Sequence, residues 1–193
     1  MHTDAFIVGR GVILRPPRES DAKYFTQWIN NPKVRKYLLS RMPKSLIAEK
    51  DWIASMSKPN RFPESIVVVI EVRGDNKPIG TMGLHNINWI DRNATTGSMI
   101  GDLTYQGKGF ATDAKMHFLK YAFETLGMHK IISHAFADNL ASVKYSECCG
   151  YTQEAVLKDQ IFHNGKWGDL ISLACFYDSW KAACVKYGWS ELL

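Results

Sequence analysis

Residues 101–112, GDLTYQGKGFAT, mark the point where the pattern of the chain changes from strands to a helix. Residues 95–100 are typical of a strand, and after the turn apolar residues recur at helical spacing: Phe110, Ala114, Phe118, Leu119, Ala122 and Phe123. The first N–H groups of a helix lack partners within the helix and carry a partial positive charge. Because the glycines let the backbone approach a ligand closely, the stretch predicts a phosphate-binding site at the start of a helix.

Two common phosphate-binding motifs do not fit this turn. A dinucleotide fold needs a third glycine where Thr112 stands, and the strands before the turn read as antiparallel. The P-loop pattern is absent. A GxG by itself is also typical of a flexible turn, so the interpretation depends on a second motif, which begins at Asn139 and ends at Gly150. Helical spacing places Asn139, Ser142 and Ser146 on one face.

Outward from this turn, the chain predicts one α/β domain over residues 1–193. Strands are expected at residues 12–14, 66–72, 78–89, 95–100, 129–137, 152–162 and 167–176. Helices are expected at residues 21–29, 45–56, 107–126 and 139–149, with a short last helix from Ser179. Asn31-Pro32 ends the first helix, and residues 58–60 break the chain after the second. The hairpins and the β-α-β unit between them indicate a mixed sheet flanked by helices.

Composition narrows the function classes. The net charge is +5, but basic and acidic residues are interleaved without a dense Lys/Arg run, so neither a nucleic-acid partner nor a membrane partner is expected. The basic balance fits an anionic ligand and a generally basic surface equally well. The four cysteines show neither zinc spacing nor a CxxC pair, so free thiols in a reducing compartment and no metal are expected. No stretch approaches the ~20 apolar residues of a membrane span and no signal peptide is evident, which predicts a soluble cytoplasmic protein.

Together the two motifs resemble the GNAT superfamily of acetyl-CoA N-acetyltransferases. Gln106, Gly109 and Ala111 match the signature Q/R-x-x-G-x-G/A. Asn139, Ser142 and Gly150 match N-x-x-S-x(7)-G-F, with Tyr151 in place of Phe. Residues 79–84 resemble the third strand of that family, and residues 14–16 and 163–169 resemble its branch of ribosomal-protein N-terminal acetyltransferases (Rim-type). The resemblance covers residues 11–177.

The resemblance implies how acetyl-CoA binds. A sheet of about seven strands would splay between its fourth and fifth strands, with the pantetheine arm of acetyl-CoA in the gap. The backbone of Met99, Ile100 and Gly101 would pair with that arm. The side chains of Asn139 and Ser142 would lie near the pantetheine or thioester end. The pyrophosphate would be held by the turn, namely Gln106, Gly107, Lys108, Gly109, Phe110, Ala111 and Thr112.

The resemblance also implies direct attack of an amine on the thioester in a ternary complex, without an enzyme nucleophile. Many relatives carry a tyrosine as general acid seven residues after the motif asparagine, but Ser146 stands there in this chain. Ser142 is the alternative acid. Three residues are candidates for the general base, beside a chain of water molecules: His85, Asp159 and His163.

The acceptor implied by the branch is a primary amine at a protein N-terminus. A small-molecule amine, such as a polyamine, an aminoglycoside or an amino sugar, is the alternative, as is a non-catalytic acyl-CoA-binding domain. Residues 35–56 and 89–92, on the expected acceptor side, contain several Lys and Arg and few acids, which disfavours polycations. A homodimer is left open.

Overall fold

The computed structural model describes residues 4–58 and 60–193. Its strands are β1 (Ile7–Val8), β2 (Val12–Arg15), β3 (Ile66–Val72), β4 (Lys77–Asn88), β5 (Asn93–Ile100), β6 (Lys130–Phe136), β7 (Thr152–His163) and β8 (Lys166–Phe176). Its α-helices are α1 (Ala22–Asn30), α2 (Pro32–Arg35), α3 (Leu46–Met56), α4 (Phe110–Lys120), α5 (Leu140–Cys148) and α6 (Tyr177–Lys186). Short 3-10 turns cover Glu19–Asp21, Leu103–Tyr105 and Ser190–Leu192, and a π-helical turn covers Tyr121–Thr125.

The strands form a mixed sheet in the order β1-β2-β3-β4-β5-β6-β8-β7. Strands β5 and β6 run parallel, from the pair Asn93 and Lys130 to the pair Thr96 and Ser133. The mixed α/β sheet is confirmed, with eight strands among the described residues where about seven were expected. The additional strand is β1, in which Ile7 pairs with Leu14. Two residues are too short to show an alternating pattern, so the sequence gives no signal for this strand.

The chain divides into two compact units, and the first holds the described residues up to Gly83 together with Ser98–Ala114. Its core is formed by Ala22, Phe25, Trp28, Val34, Ile53 and Val69. A buried ion triad joins β2 to β3: the guanidinium of Arg15 lies 2.7 Å from Asp21 and 2.6 Å from Glu71. Because a buried guanidinium is tolerated only with such partners, the triad holds the start of α1 against the sheet.

The second unit holds Leu84–Gly97 and Lys115–Leu193. In this unit β8 pairs antiparallel with both β6 and β7. The indole of the fully buried Trp180 donates to the carbonyl of Met116 over 3.2 Å, which fixes α6 against α4.

All four cysteines are free, and they lie in this second unit. Cys149, Cys175 and Cys184 are buried, whereas Cys148 is half-buried. Burial raises the pKa of the Cys149 and Cys175 thiols to about 12 and that of Cys184 to about 11. These three thiols therefore stay protonated and are poor nucleophiles.

Several predicted boundaries differ from the structure. The helix expected over 107–126 begins at Phe110 and changes to the π-helical turn after Lys120. Pro32 ends α1 as expected but also starts α2, whose N-terminus is capped by the Asn31 side chain, since proline fits the first helical position. The last helix begins at Tyr177, two residues before Ser179. Of the break at residues 58–60, Pro59 lies outside the described residues.

Candidate active site

The glycine turn has the backbone geometry that a close ligand approach requires. Gly107 and Gly109 adopt φ angles of +70° and +85°, a region that favours glycine. No heavy atom lies within 4 Å of the Cβ position of either residue, so space remains open above the turn. Helix α4 begins directly afterwards at Phe110, which leaves its first N–H groups without partners inside the helix.

The turn is tied to the end of β5. The side-chain amide of Gln106 donates to the carbonyl of Ile100 over 2.8 Å. Asp102 accepts from the backbone N–H of Thr104 over 3.0 Å and pairs with Lys77 over 2.8 Å. Gln106, the first residue of the Q/R-x-x-G-x-G/A signature, therefore fixes the turn relative to β5. This is the strand that is expected to run beside the pantetheine arm.

Part of the backbone at the end of β5 already has partners. The N–H of Gly101 donates to the carbonyl of Ile79 over 2.8 Å, and the carbonyl of Ile100 accepts from Gln106. Of the backbone groups predicted to pair with the cofactor arm, the N–H of Gly101 therefore already has a partner within the chain. The turn and Met99–Gly101 lie in the same unit.

Asp113, which neither sequence motif includes as a signature residue, anchors the β1–β2 hairpin to α4. Its carboxylate accepts from the backbone N–H groups of Arg10 over 3.1 Å and of Gly11 over 2.6 Å. A side chain at Gly9 would lie 2.7 Å from this carboxylate. The only sequence signal was an acidic residue in the first turn of a helix, a common and unspecific feature.

The second motif lies on α5 and in the second unit. Asn139 caps the helix, because its Oδ1 accepts from the backbone N–H of Ser142 over 3.2 Å. Ser142 is half-buried. Ser146 is buried, and its hydroxyl has no hydrogen-bond partner among residues 4–58 and 60–193. Gly150 ends the segment with φ of +91°, as predicted for a residue that follows a helix.

The candidate bases differ in their surroundings. His85 on β4 is half-buried beside Gly97, and burial lowers its pKa, which keeps the imidazole neutral near pH 7. Asp159 is exposed, with an unusual positive φ of +48°, and its N–H donates to Asp169 over 3.0 Å. The ring of His163 packs edge-on against Phe136 at 5.1 Å.

Lys115 is a further polar residue that neither sequence motif indicated. It lies on α4 and is 1% exposed. Its ammonium donates to the Thr96 hydroxyl over 3.3 Å and lies 4.8 Å and 5.0 Å from the ring centres of Tyr145 and Tyr151. Burial lowers the pKa of Lys115 to about 8.

The described part of the chain shows neither a metal-binding cluster nor a helix that could span a membrane. Outside positions 1–3 and 59, no group of three or more His, Cys, Asp or Glu is arranged to hold a metal ion. No helix in those same segments is long and apolar enough to cross a membrane.

Comparison with known proteins agrees with the family that the two motifs predict. The sequence model of the acetyltransferase (GNAT) domain matches residues 12–152. A spermidine N(1)-acetyltransferase of Vibrio cholerae is 37% identical over 92 residues, which are 48% of this chain and 53% of that protein. A Bacillus subtilis protein, provisionally named a ribosomal N-acetyltransferase, is 29% identical over 107 residues, 55% of this chain and 58% of that protein. The matches thus span little more than half the length of these two relatives.

A solved structure matches over a longer range. The crystal structure of spermidine N-acetyltransferase from Vibrio cholerae, in complex with CoA and spermine, superposes with a TM-score of 0.81 at 25% identity. The superposition covers 89% of this chain and 98% of that one.

Proposed function

The chain belongs to the GNAT family of acetyl-CoA-dependent N-acetyltransferases, and we propose that its acceptor is the primary amine of a small molecule. The observation that carries this proposal is the likeness to the Vibrio cholerae enzyme, which was solved with CoA and spermine. A second Vibrio match, by sequence, is named for spermidine. Polyamines are therefore the first class of acceptor to test.

In this proposal the start of α4 holds the pyrophosphate of acetyl-CoA. The residues fit that group because the left-handed Gly107 and Gly109 leave the space above the turn open. The unpaired N–H groups at a helix start favour an anion. The exposed Lys108 adds a positive charge. Bound acetyl-CoA supplies an activated acetyl thioester.

We assign His85 as the acceptor of the proton of the attacking amine. Ser142 and Ser146 are the proposed proton donors to the departing thiolate of CoA. An amine must lose a proton before it can attack a carbonyl carbon, and a neutral imidazole can accept that proton near pH 7. Burial keeps His85 neutral there by lowering its pKa. Of the two serines, Ser146 has the hydroxyl without a partner in the described chain, so that hydroxyl is available to donate.

A protein N-terminus is the second candidate acceptor, and the charge of one segment favours it. Residues 31–62 contain eight basic side chains, Lys33, Arg35, Lys36, Arg41, Lys44, Lys50, Lys58 and Arg61, against the acids Glu49 and Asp51. Glu49 is buried, and burial raises its pKa, so Asp51 is the acid that the described part of this segment exposes. The segment includes α2 and α3, which both contact α1. Trp28 of α1 in turn packs against Gly101 at the end of β5. A polycation would be repelled there, whereas a single amine would be repelled much less.

The test is release of free CoA thiol from acetyl-CoA in the presence of spermidine, a mono-amino sugar, or peptides with free N-termini. Turnover on a small amine and none on the peptides supports the proposal. Turnover on peptides alone would instead support a protein N-terminus as the acceptor. Binding of acetyl-CoA without turnover on any amine contradicts both.

A matched pair of variants ties activity to the turn. Gly109→Val places a β-branched side chain at φ of +85° in the proposed phosphate site, and Gly127→Val imposes similar strain at φ of +66° after the π-helical turn. We expect Gly109→Val to lose acetyl-CoA binding and turnover, and Gly127→Val to retain both at a temperature where each is folded. Equal retention in both variants would exclude the turn as the phosphate site.

A further inference from the structure

Lys115 is a buried cation without a carboxylate partner among the residues that the structure describes. It is 1% exposed, and no described salt bridge includes it. Its ammonium is held by one hydrogen bond to the Thr96 hydroxyl and by the faces of Tyr145 and Tyr151. Rings and a hydroxyl stabilise a cation without neutralising it, so the positive charge remains uncompensated inside the unit.

Four titratable groups face Lys115: the phenols of Tyr145 on α5 and Tyr151 before β7, and the thiols of Cys149 after α5 and Cys175 on β8. Burial raises the pKa of both thiols to about 12 and holds that of Tyr151 well above its usual value. An anion that arrives near Lys115 from outside therefore meets an unpaired cation in a low-dielectric site.

The lysine lies where the parallel pairing of β5 and β6 ends. Thr96 and Ser133 form the last described pair between these strands, although β5 continues to Ile100 and β6 to Phe136. The Thr96 hydroxyl contacts both the Lys115 ammonium and, over 3.0 Å, the Tyr151 hydroxyl. The Lys115 ammonium and the hydroxyls of Thr96 and Tyr151 form a polar cluster beside the last β5–β6 pair.

We propose that Lys115 stabilises the thiolate of CoA at the end of the β5–β6 pairing. This rests on the proposed function, in which the arm of the cofactor follows β5. When the acceptor nitrogen bonds to the acetyl carbon, the C–S bond breaks and its electron pair stays on sulfur, while the nitrogen gives its proton to the base. A cation near that sulfur favours the separated charge in the transition state. It also lowers the pKa of the thiol of bound CoA.

The experiment measures the ionisation of CoA bound to the protein, so it needs no acceptor. Ultraviolet absorbance of the thiolate is followed against pH for CoA bound to the natural protein and to Lys115→Met. We expect the bound thiol to ionise about one pH unit lower, or more, in the natural protein, since a nearby opposite charge shifts a pKa by that much. At pH values above the ionisation of the bound thiol, CoA should bind up to about tenfold more weakly to Lys115→Met, as long as Lys115 in the natural protein keeps its proton.

Desulfo-CoA, which lacks the sulfur, is the matched ligand, and Met116→Leu, the neighbouring buried residue, is the matched variant. We expect equal desulfo-CoA affinity for the natural protein and Lys115→Met, and unchanged thiol ionisation in Met116→Leu. Lys115→Leu serves as a second variant if Lys115→Met does not fold. Thiol ionisation at the same pH with and without the lysine overturns the inference but leaves the proposed function standing. If Lys115→Met loses as much affinity for desulfo-CoA as for CoA, the inference is also overturned and the proposed function still stands. If the natural protein binds no CoA, both the inference and the proposed function are overturned.

Discussion

At Gly101, a single hydrogen atom in place of a side chain lets α1 pack against the end of β5. A Cβ at this position would lie 2.1 Å from Cδ2 and 2.2 Å from Cγ of Trp28. Trp28 is part of the apolar core of the first unit, so it has little room to move. The glycine is required by its neighbour rather than by its backbone angle, unlike Gly107 and Gly109.

We therefore expect Gly101→Ala to destabilise the protein by about 2 kcal/mol, because overpacking of a core forces side chains and backbone to shift. Gly168→Ala is the control, since its Cβ would have Ile161 as nearest neighbour at an ordinary 3.9 Å. It should change the free energy of unfolding by less than about 0.5 kcal/mol. Urea unfolding of the three proteins measures the difference, and equal midpoints for Gly101→Ala and the natural chain would refute the packing argument.

At the scale of elements, α4 shows what the sequence could and could not predict. Its glycine turn was predictable, because positive φ at Gly107 and Gly109 is a local demand that the residue type reveals. Asp113 and Lys115 were not, because their roles come from distant partners: Gly11 lies in the β1–β2 hairpin and Thr96 on β5. A lysine within a helical pattern reads as solvent-exposed unless the buried face around it is known.

Burial of Lys115 in α4 lowers stability, and the effect depends on pH. A pKa lowered from 10.5 to about 8 corresponds to roughly 3 kcal/mol between the two protonation states. Below pH 8 the folded and unfolded chains both hold the proton, so the full penalty applies. From pH 8 to 10.5 the folded chain releases the proton before the unfolded chain does, so stability rises with pH and the penalty disappears.

Lys115→Met should accordingly be more stable than the natural protein by up to about 3 kcal/mol at pH 7, with the advantage shrinking towards pH 10.5. Denaturant midpoints at pH 7, 8.5 and 10 measure this trend. Lys144→Met, at an exposed position of α5, should show no such dependence relative to the natural protein. A constant difference for Lys115→Met across this range would mean that the lysine keeps its ordinary ionisation in the fold.

For the whole molecule, the sequence predicted the α/β class and the order of the longer elements, because these follow from periodicity over many residues. It missed β1 and α2, which are two and four residues long. The identity of the acceptor does not follow from such periodicity. Its identity depends on which side chains of separate segments face the amine, and no periodic pattern reports that.

Ligand binding should be visible in the stability of the whole chain. Acetyl-CoA at 100 times its Kd should raise the free energy of unfolding by about 2.7 kcal/mol, which corresponds to a Tm increase of roughly 5–10 °C for a protein of this size. Thermal unfolding with and without acetyl-CoA measures the shift. The Gly109→Val variant should lose the shift while Gly127→Val keeps it, and an equal shift in both would place the ligand elsewhere.

The distribution of the cysteines also makes the protein convenient for spectroscopy. Cys149, Cys175 and Cys184 are shielded inside the second unit, and their raised pKa values keep them protonated. Cys148 alone is partly accessible, at the last turn of the helix that Asn139 begins. A maleimide dye added to the folded natural chain would attach at that one position without any engineered substitution. The dye would then report on the environment of α5 as ligands are added.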